Sequence, residues 1–347
     1  MKHRLTKLTA AGLAALALTG CAGGASEGTP EDAETTWTLV AGQPEGSTCW
    51  DAAEQFASAL SDATEGAVAV EVQPVPIDRP TSLEQTVAGI VDLYLDSSLI
   101  YGSYGSKEEL ERPFFSVTMP FLFPDAETAA EVLDGTGGEA LNGILAELGL
   151  RGLAYGELGF RYLTADRPVT APEDLEGLKI RTAGMLELYG SYIGCWGTTY
   201  YSSSFSDVMT PLAAGDYDGQ ESTLAEGDAA GYQTVQTDVT IFPAFYEPAI
   251  FTMNGDLYES LSPELQETVD RCAREAMADQ RLRNREQEAE ILEQWQEEDG
   301  IAVHVLTEDQ CSAFQALTDR LYDPEDPDHQ EWFADCTPEW VAQFRPS

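Results

Sequence analysis

Basic residues are scarce in this chain of 347 residues. Lys and Arg together number 18 against 61 Asp and Glu, which gives a formal net charge of −43. A body with so large a negative charge is a poor partner for nucleic acid or for an anionic lipid surface. The chain is nevertheless not a disordered acidic tail, because 43% of its residues are hydrophobic and 10% are aromatic. That composition is typical of a packed globular protein.

Histidines and the short motifs of catalysis are also rare. After the first 21 residues the only histidines are His304 and His329, and neither lies near another candidate residue. The chain has no HExxH pair and no Gly-rich phosphate loop. The acidic stretch 323–328 lacks the glycine of a calcium loop and contains two prolines. These absences favour a binding protein over an enzyme and predict neither a metal nor a cofactor.

Cysteines are few, and their spacing is uninformative. Besides Cys21 the chain has Cys49, Cys195, Cys272, Cys311 and Cys336. No CxxC pair is present, which argues against a zinc knuckle or a thioredoxin-type site. An odd number allows at most two disulfides and leaves one thiol free, while buried unpaired thiols are the alternative. The sequence does not assign a pairing.

The first 21 residues have the pattern of an export signal. Basic residues come first, and the apolar run that follows, 8–18, is too short to span a bilayer comfortably. The sequence Leu18-Thr19-Gly20-Cys21 resembles a lipobox, which makes Cys21 the predicted lipidation site and 1–21 a lipoprotein signal peptide. An ordinary signal peptide with an incidental cysteine is the alternative. No later segment has 18 consecutive apolar residues, so a lipid anchor is the predicted membrane attachment.

Residues 22–36 are rich in Gly, Ala, Ser, Glu and Thr without an apolar period, which predicts a flexible tether. The rest of the chain alternates short strands and helices, the pattern of an α/β protein, and is long enough for two lobes with separate cores. We expect strands at Trp37–Val40, 68–72, Ile90–Leu95, Leu153–Leu158, Phe160–Thr164 and Lys179–Thr182, and helices at Asp51–Leu60, Ser82–Ala88 and Ser206–Ala214.

One predicted helix is much longer than the others. Ser262 and Pro263 have the order of an N-cap and a first-turn proline, and Gly300 ends the segment. Its middle, 281–288, is almost wholly polar. A helix that is packed at both ends and wet in the middle is expected to cross between two lobes. A plain surface helix, or two helices broken near Arg283, are the alternatives.

Several stretches in order along the chain resemble the core of solute receptors of TRAP (tripartite ATP-independent periplasmic) transporters. They are Gly159–Thr164, Arg167–Val169, Pro172–Arg181, Phe205–Met209, Gly215–Glu221, Asn254 and Leu261–Gln266. The similarity covers roughly residues 37–310 and is looser in the N-terminal third. No single motif is specific, but the ordered set is.

The resemblance implies an α/β, two-lobed periplasmic-binding-protein type II-like fold with crossing strands and a long lobe-spanning helix. Lobe I would comprise 37–157 plus 247–290, and lobe II 158–246 plus 291–347. The ligand would lie in the cleft between the lobes, which close over it.

The resemblance also implies roles for individual residues. The family arginine at the position of Arg181 forms a salt bridge with the ligand carboxylate, and Arg161 matches a second arginine of the cleft. Phe205 matches an aromatic residue packed on the ligand. Ser222 stands where an asparagine is common, which puts the usual amide contact in doubt.

Four further residues complete the predicted site: Trp196, Tyr201, Ser97 and Arg79. The two aromatic residues stand close to Phe205 in sequence. Arg79 follows the second strand, where it either contacts the ligand or is solvated.

Elementary chemistry agrees with the role assigned to Arg181. A guanidinium is a rigid, permanently charged fork that fits a carboxylate. Distant charges are screened beyond about 8 Å, so the acidic surface does not exclude an anionic ligand. The predicted partners are therefore a small organic acid and the TRAP membrane subunits. A membrane sensor in place of the transporter is the alternative.

Overall fold

The computed structural model describes residues 33–102, 113–183, 188–203, 207–297, 299–333 and 336–345. Within these ranges nine strands form one mixed sheet in the order β2-β1-β3-β8-β4-β7-β5-β6, with β9 paired to β8. The strands are β1 (Thr35–Ala41), β2 (Val68–Pro74), β3 (Leu93–Ser97), β4 (Leu150–Ala165), β5 (Lys179–Ala183), β6 (Thr199–Ser203), β7 (Gly219–Thr223), β8 (Asp238–Asn254) and β9 (Ala302–Val305).

Helices connect the strands. They are α1 (Thr48–Ala63), α2 (Arg79–Val87), α3 (Ser98–Gly102), α4 (Ala126–Asp134), α5 (Thr136–Glu147), α6 (Leu188–Gly194), α7 (Met209–Ala214), α8 (Leu224–Ala230), α9 (Gly255–Ser260), α10 (Pro263–Glu297), α11 (Glu308–Thr318), α12 (Pro327–Trp332) and α13 (Pro338–Val341). None of these described helices is both long and apolar enough to cross a membrane.

The two longest strands hold the molecule together. β4 and β8 have 16 and 17 residues and pair antiparallel along almost their whole length. At about 3.3 Å per residue, each is about 50 Å long. β3 pairs with β8 at one end, and β7 pairs with β4 at the other. The two strands therefore link the two ends of the sheet, as the two-lobed fold requires.

The prediction of separate strands at 153–158 and 160–164 was wrong, because both belong to β4. The strand continues through register shifts opposite β8, one of them between Glu157 and Gly159. Gly159 has φ +99°, a conformation that glycine adopts without strain. A glycine that ends a strand and one that bends it look alike in sequence.

Two large hydrophobic cores pack against the sheet. One packs α1 and the first half of α10 against the β1–β3 end, where Phe56 meets Phe251 edge to face with ring centroids 4.9 Å apart. The other contains Trp196, whose ring stacks on Phe245 at 5.4 Å. The second core reaches both ends of the sheet, since it includes Tyr94 of β3 and Ile180 of β5, and it therefore anchors β4 along its whole length.

The long helix α10 is confirmed as one continuous helix of 35 residues, about 52 Å long. The expectation that its middle is wet holds for one face only, where Leu282 is 58% exposed. Gln280 and Asn284 are buried, and Arg285 donates to both carboxylate oxygens of Glu157 at 2.9 Å. The middle is polar because it forms hydrogen bonds with the crossing strands.

Two smaller expectations also changed. The strand predicted from Ile90 begins at Leu93 instead, because α2 ends in a turn in which Gly89 has φ +69° and Ile90 is 71% exposed. The helix before Gly215 begins at Met209 and ends as expected, with Gly215 at φ +73°. Ser206, Phe205, Cys21 and the tether up to residue 32 lie outside the described residues.

Four of the described cysteines do not crosslink the fold. Cys49 and Cys272 are buried free thiols, and Cys195 and Cys311 are half-buried free thiols. Burial raises the pKa of the Cys49 thiol to about 12, with a smaller contribution from the charge of Asp96. These thiols match the alternative of unpaired, inert cysteines.

Candidate ligand-binding site

A cavity of about 410 Å³ lies where the N-terminus of α1, the start of α8 and the middle of α10 meet. Its lining combines both ends of the sheet, since α1 packs beside β1 and α8 follows β7. The charged residues in the lining are Glu45, Arg79 and Glu226. A larger groove, about 1030 Å³, lies between segment 121–124 and α11 and contains none of the predicted site residues.

Arg161 lies in the second half of β4 and is only 3% exposed. Its Nε donates to Glu221 Oε2 at 2.5 Å, and its Nη1 donates to Glu247 Oε2 at 2.5 Å and to Glu226 Oε2 at 3.4 Å. The ring of Tyr189 covers the guanidinium at 4.6 Å. Burial lowers the pKa of Arg161, but the three carboxylates outweigh burial and raise it well above its ordinary value. The charge of Arg161 is therefore already neutralised within the protein.

Arg181 has a different environment. It lies on β5 between β6 and β7, and it is 2% exposed. Its Nη2 donates to the Ser203 carbonyl oxygen at 2.7 Å, while its buried Nε has no hydrogen-bond partner. Burial lowers the pKa of Arg181, and the charge of Glu221 only partly opposes this. Among the described residues no carboxylate forms an ion pair with it.

Arg79 is ion-paired rather than simply solvated, and its contact with a ligand stays a prediction. It begins α2 directly after the N-cap residue Asp78. Its Nε donates to Asp96 Oδ2 at 2.7 Å, and its Nη2 pairs with the other carboxylate oxygen. Burial would lower the pKa of Arg79, but the charge and hydrogen bonds of Asp96 raise it. Asp96 is fully buried.

Ser97 lies in a buried polar chain that runs from β3 to β4. Its backbone N–H donates to Asp96 Oδ1 at 2.7 Å, and its hydroxyl donates to Glu247 Oε1 at 2.6 Å. Glu247 in turn binds Arg161. This chain connects Arg79 to Arg161 through buried carboxylates, so two of the three predicted arginines have structural partners.

The other predicted residues are scattered. Trp196 is core, because its ring is enclosed by aromatic residues and its Nε1 donates to the Phe314 carbonyl oxygen at 3.1 Å. Tyr201 is 41% exposed, and its ring faces Tyr217 at 5.5 Å. The buried Ser222 hydroxyl donates to the Thr223 carbonyl oxygen at 3.0 Å. Of the predicted residues that the structure describes, Arg79 is the one that lines the 410 Å³ cavity.

The crossing region also contains a carboxylate that sequence analysis missed. A Cβ at Gly159 would lie 2.0 Å from Glu288 Oε1, so a side chain there would displace the Glu288 carboxylate. Glu288 Oε1 is buried without a partner. Burial, followed by the charge of Glu157, raises the pKa of Glu288 to about 8, although Arg285 opposes the shift.

We expect Glu288→Gln to stabilise the protein at pH 8 and to have little effect at pH 5. Between the ordinary pKa of 4.5 and about 8, folded Glu288 keeps a proton that the unfolded chain releases. The stability of the parent therefore falls as pH rises through this window, and an amide removes that dependence. Urea unfolding at pH 5, 6.5 and 8 measures the difference. The exposed Glu290→Gln on the same helix is the control, and a difference independent of pH would contradict the assignment.

Long strands and a long helix join the two ends of one α/β sheet. Buried arginines lie at the crossing, and a cavity lies beside it. This arrangement defines a two-lobed solute receptor. Residues 40–327 match the sequence profile of the bacterial extracellular solute-binding proteins, family 7 (DctP). Because this match covers most of the chain, the protein belongs to that family. It is therefore an extracytoplasmic receptor of the transport class and not an enzyme.

Individual relatives agree with this assignment. A solute-binding protein from Verminephrobacter eiseniae is 36% identical over 172 residues, which is 49% of this chain and 51% of the relative, so the match spans about half of its length. The 2,3-diketo-L-gulonate-binding periplasmic protein YiaO from Escherichia coli is 29% identical over 276 residues, 78% of this chain and 81% of the relative.

Solved structures agree as well. A TRAP periplasmic solute binding protein from Ochrobactrum anthropi has a TM-score of 0.81 at 28% identity, with 90% of this chain and 94% of that chain covered. Another from Chromohalobacter salexigens, with bound D-glucuronate, has a TM-score of 0.78 at 25% identity, with 89% and 99% covered.

Proposed function

We propose that this chain binds a small organic anion in the cleft between its lobes and delivers it to the membrane subunits of a TRAP transporter. The observation that carries the proposal is Arg181, a buried guanidinium without a carboxylate partner among the described residues of a chain with 61 acids. A buried cation without a counter-ion is costly. A ligand carboxylate would supply both the charge and the acceptor that Nε lacks.

The relatives support an organic acid as the ligand. The Escherichia coli relative is a 2,3-diketo-L-gulonate-binding protein, and the Chromohalobacter salexigens structure contains D-glucuronate. Both compounds are carboxylates. For this chain we assign the carboxylate to Arg181, and we keep Phe205, Ser222 and Tyr201 as candidate contacts. Trp196 is left out because it lies in the core, and Arg161 anchors β4 rather than the ligand.

We further propose that the lobes have the boundaries expected from sequence, 37–157 plus 247–290 and 158–246 plus 291–347. The change from one lobe to the other then falls at Glu157–Leu158 of β4 and near Glu247 of β8. One register shift, between Glu157 and Gly159, lies there, and Glu157 and Glu247 both form buried ion pairs.

A thermal-shift screen of organic acids tests the proposed function. A ligand present at 100 times its Kd should add about 2.7 kcal/mol of stability. The panel contains sugar acids, keto acids and C4-dicarboxylates, with the corresponding neutral sugars as controls. Stabilisation by acids alone supports the proposal. A well-folded protein that responds to no acid, or equally to the neutral sugars, contradicts it.

We propose in addition that Cys21 is lipidated and anchors the receptor to the outer face of the cell membrane. The support is the lipobox-like Leu18-Thr19-Gly20-Cys21 after a short apolar run, since several acyl chains on one cysteine anchor a protein stably. We expect Cys21→Ser to move most of the receptor from the membrane fraction to the soluble fraction. Fractionation measures this, with Cys49→Ser as the control, and an unchanged membrane fraction would contradict the proposal.

A further inference from the structure

Neighbouring residues of β7 point to opposite faces of the sheet. β4 pairs antiparallel with β7, with Leu163 opposite Glu221 and Thr164 opposite Gln220. Side chains alternate between the faces of a strand, and residues directly opposite each other share a face. The hydrogen bonds agree, since Glu221 binds Arg161 and the Gln220 amide binds the Thr164 hydroxyl at 3.0 Å. The acid and the amide of β7 therefore lie on different faces.

Arg181 lies on the face of Gln220. β5 pairs parallel with β7, and Arg181 is in register with Gln220. On the other face, a Cβ at Gly219 would lie 3.1 Å from Ile180 Cδ1, so Ile180 shares the face of Glu221. Since side chains alternate along β5, Arg181 points to the face on which the amide lies.

The alternation along β7 gives the two arginines different neighbours. Arg161 has the carboxylate of Glu221 on its own face and is also bound by Glu247. Arg181 has the uncharged amide of Gln220 beside it in register. In a chain with 61 acids, an amide at this position leaves Arg181 without a counter-ion from β7.

The side chains of Arg181 and Gln220 are both buried, at 2% and 0% exposure. Arg181 Nε and Gln220 Oε1 have no hydrogen-bond partner within the described part of the chain. A glutamine amide can be turned so that either end faces the Thr164 hydroxyl, so the free end is a donor or an acceptor. In both orientations it is uncharged, and a conclusion drawn from charge alone does not depend on the choice.

We propose that Gln220 is a specificity-determining residue that acts through Arg181: as a neutral neighbour it leaves the charge of Arg181 to the carboxylate of a ligand. This inference rests on the proposed function, in which Arg181 binds that carboxylate. A glutamate at the same position would form an internal ion pair with Arg181 and would repel an anionic ligand. The preference for anions then depends on Gln220 as well as on Arg181.

Gln220→Glu tests the inference, because it adds a negative charge with almost no change in shape. The Kd for the best acid of the screen should rise by about thirty-fold or more. The melting temperature of the ligand-free protein should stay at the parental value or rise, since a buried guanidinium gains a counter-ion. Calorimetric titration and melting curves without ligand measure the two effects.

Two results of this experiment would overturn the inference. One is a folded Gln220→Glu whose Kd lies within about two-fold of the parent. The other is a raised Kd together with a large fall in the ligand-free melting temperature, which would show a buried carboxylate that does not pair with Arg181 and a purely structural role for Gln220.

Gln220→Met separates the effect of charge from the loss of the amide. Methionine is similar in size to glutamine and uncharged, so this variant should bind the acid at least about ten-fold more tightly than Gln220→Glu. Equal losses in the two variants would assign the effect to the amide group and overturn the inference. Gln294→Glu makes the same change of charge at an exposed position of α10 and should keep the parental Kd.

Tyr201 offers a second position, should Gln220→Glu not fold. It is in register with Arg181 on the other side, on β6, and it is 41% exposed, so a charge there is easily accommodated. Tyr201→Glu should bind the acid at least about five-fold more weakly than Tyr201→Gln. Because these variants differ only in charge, any contact of the tyrosine ring cancels in the comparison. Equal Kd values would overturn the inference.

The inference and the proposed function fail separately. If Arg181→Ala loses the acid while Gln220→Glu keeps the parental affinity, the proposed function stands and the role of Gln220 is overturned. If Arg181→Ala keeps the parental affinity, or if no acid of the screen binds, the proposed role of Arg181 fails, and the inference from Gln220 fails with it.

Discussion

Arg181→Ala is expected to lower the affinity for the organic acid by about thirty-fold to several-thousand-fold, which corresponds to about 2–5 kcal/mol of binding free energy. The substitution removes the cation and leaves the ligand carboxylate desolvated without a partner. Arg181→Lys should restore only part of the loss, because an ammonium keeps the charge without the planar fork. Calorimetric titration of the three proteins with the best acid of the screen measures this.

The unliganded stability of the same variants separates a binding role from a structural one. Arg181 is buried with one hydrogen bond and no ion pair among the described residues, and its pKa is lowered chiefly by burial. Replacing it should therefore leave the melting temperature of the ligand-free protein unchanged or raise it. Near-parental affinity in Arg181→Ala would contradict the carboxylate-binding role. A large fall in unliganded melting temperature would point to a structural ion pair instead.

Arg79→Ala provides a matched contrast. It removes another predicted cleft arginine, but one bound to the fully buried Asp96. This variant should lose stability without ligand, because a buried carboxylate is left without its cation. Its loss of affinity should be smaller than that of Arg181→Ala. The two variants therefore test whether Arg79 mainly stabilises the fold and Arg181 mainly binds the ligand.

The elements that sequence predicted well are those whose signals are local. The first-turn proline and the terminal glycine bracket α10 within a few residues, and the alternating valines of 68–72 lie on β2. The strand predicted at Lys179–Thr182 is β5. Each of these inferences needs only residues that are close together in sequence.

The elements that sequence missed depend on distant partners. Glu221 and Glu247 are 60 and 86 residues from Arg161, and in a chain with 61 acids nothing marks these two as buried. The same holds for Asn284, which lies in the polar stretch 281–288 that was expected to be wet. The burial follows from the close approach of α10 to the crossing strands. In the sequence, only Gly159 hints at that approach.

Of the two aromatic residues predicted near Phe205, Trp196 lies in the core and Tyr201 stays a candidate contact. Trp196 and Tyr201 are five positions apart in sequence, but the first follows α6 into the core while the second lies on β6, an end strand of the sheet. Side chains of a strand alternate between its faces. Nearness in sequence therefore says little about which aromatic residues share a cleft.

Arg161→Ala should have the largest effect on folding. It leaves Glu221 and Glu247, 1% and 3% exposed, without their shared cation, and breaking a buried ion pair in this way costs about 3–5 kcal/mol. That is a large fraction of the 5–15 kcal/mol or so of a typical domain. Arg161→Lys should recover little, since one ammonium cannot reproduce three donating nitrogens beneath the Tyr189 ring.

Urea unfolding of the ligand-free protein measures the loss, and Arg167→Ala is the control. Arg167 is exposed, and its ion pair with Asp166 has an N–O distance of 3.6 Å, so its removal should change the free energy of unfolding by less than about 1 kcal/mol. Arg161→Met combined with Glu221→Gln and Glu247→Gln should recover much of the lost stability, because no buried charge is then left alone. A loss in Arg161→Ala no greater than in Arg167→Ala would show that the buried cluster does not stabilise the crossing strands. Equal losses in Arg161→Ala and the triple variant would place the effect in side-chain packing rather than in charge.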